Sequence, residues 1–230
     1  MLALLLLLQV AAAPASPQAS PSPAAVRPHS YLAFGDSITD GEGSSDETGY
    51  RTILEAALKG RFGDAVVINE GVPGADSRRG QRTIAAAVVK HQPAATLILL
   101  GTNDWADEPR EPSSTANSLR RIVRDAKSLE GAVFLATIPP VNTGFDENVP
   151  PERGEWIKKA NALIAEVARE EAVALVDVHA AFATSESPKS LFVDGVHPND
   201  GGYAVIARAF FDAITAAQPV SPEATSPRSR

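Results

Sequence analysis

Five short apolar runs, each ending in glycine or polar residues and each separated from the next by a helical pattern, constrain this chain most. The runs are 31–34, 65–68, 95–100, 132–136 and 173–176. Between them, apolar residues recur at helical spacing. In 48–61 the repeat is Ile53, Leu54, Ala57 and Leu58. In 113–129 it is Leu119, Ile122, Val123, Ala126 and Leu129. In 151–171 it is Trp156, Ile157, Ala160, Leu163, Ile164 and Val167. The stretch 76–90 also reads as a helix, and a last one starts at Asn199 and carries Tyr203, Val205, Ile206 and Phe210. Strands that are apolar on both faces must be covered on both faces. Strands alternating with helices pair in parallel. The expected class is therefore α/β, a five-stranded parallel sheet between two layers of helices. No internal repeat is present.

The 230 residues, 44% of them hydrophobic, suffice for one well-cored domain. The net charge of −7 comes without a basic stripe, which argues against nucleic acid or an anionic membrane surface as a partner. With no cysteine there are no disulfides, no thiolate metal site and no cysteine nucleophile. Residues 1–13 are nearly all apolar, shorter than the ~20 residues of a bilayer span but of the length of a signal-peptide core. Ala13 and Ala15 are the small residues a signal peptidase reads. No Lys or Arg precedes the run. The expected organisation is a signal peptide over 1–15, a Pro/Ala/Ser-rich linker over 16–29, a folded domain over 30–217 and a disordered tail over 218–230. Such a protein would be exported, to be secreted or periplasmic.

In a sheet of this kind, sites form beyond the carboxyl ends of the strands. The first strand is followed by Gly35, Asp36 and Ser37 in the run GDSITDG. The second is followed by NEGVPGAD (69–76), the third by GTND (101–104), the fourth by TIPP and a long loop through Phe145 and Asp146, and the fifth by Asp177, Val178 and His179. Near the end comes DGVHP (194–198). Ser37 can serve as a nucleophile on a glycine-flanked turn, although Thr39 stands where a G-x-S-x-G elbow has its second glycine. Acyl transfer also needs a base, a group that orients the base, and donors for an oxyanion. Of the four histidines, His29 lies at the linker edge and His91 at a helix end beside Pro93. Asp194 and His197, three apart around a glycine, are the first candidates for the pair. Asp177 and His179, on one face of a strand end, compete as structural or pocket-lining residues. Asn103 could donate its side-chain amide to an oxyanion. Gly74 could bring a backbone N–H close where a side chain would obstruct it.

These four blocks, in this order, resemble the SGNH hydrolases, the GDSL-type esterases and lipases. The resemblance spans roughly residues 31–216. It implies a three-layer α/β/α sandwich of flavodoxin-like type. It further implies a catalytic Ser37, Asp194 and His197, and an oxyanion hole made by the backbone N–H of Ser37, the N–H of Gly74 and the side chain of Asn103. Gly71 is a second candidate in the glycine block; Gly74 is preferred by its place in the motif. The implied reaction is hydrolysis of carboxylic esters through an acyl-enzyme, with no metal or cofactor. Short acyl esters are favoured because no long apolar lid segment is evident.

Carbohydrate O-acetylesterase, lysophospholipase and thioesterase activities share the same residues, as does transfer to another acceptor. A non-catalytic binding domain is the reading from another class. The expected partner is a small-molecule, glycan or lipid ester, and the chain is taken as a monomer. The acidic stretch 42–47 lacks the alternation of a calcium loop and reads as a solvated lid or rim. The run GYR (49–51) after it is similar to some carbohydrate acetylesterases of the superfamily. Trp105, just past the asparagine block, is expected to line the pocket.

Overall fold

The computed structural model describes residues 29–105, 109–129, 131–143 and 149–217. The expected signal peptide over 1–15, the expected linker up to residue 28, the expected tail over 218–230 and the loop residues Phe145 and Asp146 lie outside them.

Five parallel strands form one sheet: β1 (Ser30–Gly35), β2 (Val66–Gly71), β3 (Ala95–Leu99), β4 (Ala132–Ala136) and β5 (Ala174–Val176), in the order β2-β1-β3-β4-β5. Among the described residues, seven α-helices lie between and after them: α1 (Ser37–Asp40), α2 (Tyr50–Phe62), α3 (Ser77–His91), α4 (Pro112–Ala126), α5 (Pro151–Glu170), α6 (Val178–Ala183) and α7 (Asp200–Ala217). The order reverses between β1 and β3, so the helices leave the carboxyl ends of these two strands on opposite sides and open a crevice there. Register places Gly35 level with Gly71 and with Leu99, which brings three strand ends to one rim.

Strand period decides the two cores. Tyr31 and Ala33 point to the layer of α2 and α7, with Leu54, Leu58, Tyr203, Ile206 and Phe210. Leu32 and Phe34 point to the layer of α3, α4 and α5, with Ile84, Leu119, Ile122, Ile157 and Ile164. Each leucine, isoleucine and phenylalanine among them, once fully buried, contributes about 1.5–3 kcal/mol. Local chemistry sets the helix starts. Asp76 caps α3 by accepting the Arg79 N–H at 2.7 Å, and Pro112 and Pro151 occupy the first positions of α4 and α5, where no N–H is needed.

Several expectations are corrected. The buried face of α2 is Tyr50, Leu54 and Leu58, one residue per turn; Ile53 is 40% exposed and Ala57 is also out, because α7 and the sheet cover only one side of this helix. Strand β2 continues through Asn69, Glu70 and Gly71, read above as loop, because an edge strand has one side free for polar side chains. The helix expected over 113–129 stops at Ala126 and closes in a 3-10 turn, Lys127–Leu129. Helices α1 and α6 are too short for a periodic signal. Each starts on an aspartate cap, Asp36 and Asp177. Asp177 and His179 are therefore a cap and a helical residue, not neighbours along a strand. No helix among the described residues is long and apolar enough to cross a membrane.

Candidate active site

Ser37 is the first residue of α1, directly beyond β1. The Asp36 carboxylate accepts the Ile38 N–H at 3.0 Å and starts the helix there. At the other end of this single turn, Arg51 donates to the Thr39 and Asp40 carbonyls at 2.8 and 2.7 Å, which satisfies groups a four-residue helix leaves open. Ser37 is held rigidly and is 4% exposed. As the first helical residue, its N–H has no acceptor within α1 and points outward from a helix start.

The loop before α7 supplies the other two groups. Asp194 Oδ1 accepts the N–H of Val196 and of His197, both at 2.6 Å, so one carboxylate oxygen folds the turn. Its Oδ2 lies 2.7 Å from His197 Nδ1, and His197 Nε2 lies 3.0 Å from Ser37 Oγ. An ionised carboxylate only accepts, so Nδ1 carries the proton, and Nε2 is left to accept the Ser37 hydroxyl. Burial acts to raise the Asp194 carboxyl, but the His197 and Val196 donors outweigh it and hold it below the usual carboxylate range.

Asn103 lies in the 3-10 turn Thr102–Asp104 beyond β3 and donates one amide hydrogen to the Ala75 carbonyl at 3.0 Å. The amide has a second hydrogen, so donor capacity remains. This bond sets Asn103 beside Gly74. The Gly74 N–H has no acceptor among the described residues. The two glycines of this block, Gly71 at the end of β2 and Gly74 in the loop after it, do different work. A Cβ on Gly71 would stand 2.4 Å from the Asp40 N, so Gly71 lets β2 close against α1. A Cβ on Gly74 would meet nothing within 4 Å; its φ of +73° is what calls for glycine.

Behind Asn103 the fully buried Asp104 carboxylate gathers the Ser77 N–H at 2.8 Å, the Ser77 hydroxyl at 2.7 Å, the Thr115 hydroxyl at 3.0 Å and the Arg110 guanidinium. This network ties the asparagine turn to α3 and α4. Asn-Asp had read as an ordinary turn former, and nothing in one sequence separates that from a buried anchor.

Two further groups at the site went unread. The Glu42 carboxylate stands 3.5 Å from His197 Nε2. Its backbone is fixed, because the buried Tyr203 hydroxyl donates to the Glu42 carbonyl at 2.6 Å. The Ser45 N–H donates to Asp200 at 2.8 Å, so the stretch 42–47 is a rim tied to α7. Arg153, on the first turn of α5, donates to the Thr102 carbonyl at 3.1 Å. Burial lowers its guanidinium from the ordinary arginine value, against the opposing charges of Asp194 and Asp36.

The remaining histidines lie apart from Ser37. His29 stacks on Phe62 at 5.1 Å, and His91 pairs with Glu70 at 2.6 Å. His179 shares a hollow of about 290 Å³ with Thr137, Asn161 and Asp177, and burial lowers its imidazole.

A doubly wound sheet that sets a serine, a histidine and an aspartate in line at its switch point belongs to the serine hydrolases with an α/β/α sandwich. Residues 33–205 match the model of the GDSL-like Lipase/Acylhydrolase family, and the chain belongs to that family, within the SGNH hydrolases. It is 32% identical over 132 residues to a multidomain esterase of Ruminococcus flavefaciens, covering 55% of this chain and 16% of that one; the chain thus spans under a fifth of that relative's length. It is 28% identical to the thioesterase 1/protease 1/lysophospholipase L1 of Escherichia coli K12, over 72% of this chain and 77% of that one. It is 29% identical to an acetylxylan esterase of Geobacillus stearothermophilus, over 80% and 92% of the two chains. The fold matches that of a lipase/acylhydrolase from Enterococcus faecalis with a TM-score of 0.71 at 23% identity, over 84% of this chain and 99% of the other. Family and relatives make the chain a carboxylic ester hydrolase.

Proposed function

We propose that the chain hydrolyses short-chain carboxylic esters in two steps through an acyl-enzyme on Ser37. The observation that carries this reading is the unbroken line from Ser37 Oγ to His197 (3.0 Å) to Asp194 (2.7 Å). In the first step Ser37 Oγ attacks the ester carbonyl while His197 Nε2 takes its proton. The tetrahedral intermediate collapses, the C–O bond to the alcohol breaks, and His197 returns the proton to the leaving oxygen. Water then attacks the acyl-enzyme by the same route, releasing the acid and free Ser37. Asp194 keeps Nδ1 protonated and stabilises the imidazolium that forms. The Ser37 and Gly74 N–H groups and the free hydrogen of Asn103 are the donors for the oxyanion, each worth about 3 kcal/mol in such sites. The apolar run 1–13 supports export through a cleaved signal peptide.

The test is release of nitrophenol from p-nitrophenyl acetate and octanoate. Wild type turns over the acetate ester, and Ser37→Ala loses at least ~10³-fold in kcat with an unchanged melting temperature. A Ser37→Ala protein with more than a tenth of wild-type turnover removes the assignment.

A further inference from the structure

Resting on that reading, we propose that a cleft beside the asparagine turn is the subsite for the alcohol part of the ester, and that this part is an uncharged sugar. The cleft holds about 460 Å³, within the range of small-molecule sites. It opens between the first turns of α4 and α5. Its apolar walls are Trp105, Trp156, Pro112 and Pro151. Its polar groups are the carboxylates of Glu111, Glu152 and Glu155, with one cation, Lys159.

Three features join this cleft to the chemistry. Trp105 directly follows the turn that carries Asn103. Arg153, between the cleft residues Glu152 and Glu155, binds the carbonyl of Thr102. The Trp156 indole N–H donates to the Arg110 carbonyl at 2.6 Å, and Arg110 in turn pairs with Asp104 behind Asn103. The cleft and the oxyanion turn are therefore held on one rigid frame.

The wall chemistry selects the ligand. Both tryptophans of the chain are here, their rings 6.0 Å apart and edge to face at 65°. An indole offers a flat apolar face to the C–H groups of a pyranose, and carboxylates accept hydrogen bonds from its hydroxyls. Glu155 is paired with Lys158 at 2.8 Å; Glu111 and Glu152 against Lys159 leave the cleft net acidic, which disfavours a phosphate or any other anion. A lysophospholipid headgroup or a coenzyme A tail would bring phosphate into this field. A neutral oligosaccharide meets both the apolar walls and the acceptors.

The two tryptophans provide the readout, since all indole fluorescence of the chain comes from this cleft. Ser37→Ala is titrated with xylotriose, cellotriose, glycerol 3-phosphate and coenzyme A, with excitation selective for tryptophan. A saturable change is expected with the neutral sugars at millimolar concentration and none with the two anions. In the double variant Glu152→Gln/Glu155→Gln the sugar affinity falls ~10-fold. In Trp105→Leu, kcat/KM for an acetylated oligosaccharide falls ~10-fold relative to that for p-nitrophenyl acetate. A fluorescence change equal for sugars and anions, no change with sugars, or a ratio unmoved in Trp105→Leu overturns the subsite. Wild-type release of nitrophenol from the acetate ester would then still stand, so failure of the subsite is separable from failure of the esterase reading.

Discussion

Asp36 is the first position to perturb, because its substitution isolates one buried charge without removing the cap of α1. The residue is 1% exposed. Burial pushes its carboxyl from the ordinary 3.8 up to about 7; the Ile38 N–H and the nearby His197 oppose this without cancelling it. A rise of roughly 3 units corresponds to about 4 kcal/mol. The folded chain holds this proton more tightly than the unfolded chain does. As pH rises through ~4 the unfolded chain releases it first, so stability falls with rising pH until the folded carboxyl also ionises near 7. Asparagine keeps an oxygen for the Ile38 N–H and carries no charge at any pH. The stability of Asp36→Asn minus that of wild type should therefore grow by about 3 kcal/mol between pH 4.5 and 7.5, the first ~1 kcal/mol of the total having been lost below pH 4.5, and level off above. Urea unfolding of both proteins at four pH values measures it. Taking the difference cancels groups common to both, including Asp194, whose depressed carboxyl has the opposite sign. A difference flat to within ~0.5 kcal/mol, less than half of a 1 pK shift, refutes the buried-charge argument.

Asn103→Ala should lower kcat for p-nitrophenyl acetate by about 10²–10³-fold, the loss of one oxyanion donor; a change within two-fold would exclude Asn103 from that role. Gly71→Ala should cost more stability than Gly74→Ala. At Gly71 the new Cβ stands 2.4 Å from the Asp40 N and forces α1 off β2, a cost of about 1–3 kcal/mol. At Gly74 only the left-handed backbone is strained, about 1 kcal/mol. Equal melting temperatures for the two variants would show that the loop relaxes freely.

How far the sequence reached differs from element to element. The five strands and the long helices were legible because their periods are physical: side chains alternate every two residues in a strand and return every 3.6 in a helix. The apolar runs of β1 and β3 could be placed only in a doubly covered parallel sheet. The order of the blocks containing Ser37, Asn103 and Asp194–His197 was legible for the same reason, since each follows a strand or a turn that positions it.

What tertiary structure decided is of another kind. Which glycine is bound by packing and which by its φ depends on α1 closing against β2, a contact between residues about 30 apart. Helix α2 turns Tyr50 inward and Ile53 outward because of where α7 lies. Glu42 reaches His197 across 155 residues, and Asp104 anchors the Asn103 turn only once α3 and α4 bring Ser77 and Thr115 to it. Local periodicity carries information about which residues share a face. Distances between side chains far apart in the chain arise only when the layers pack, and the electrostatics of this site rests on those distances.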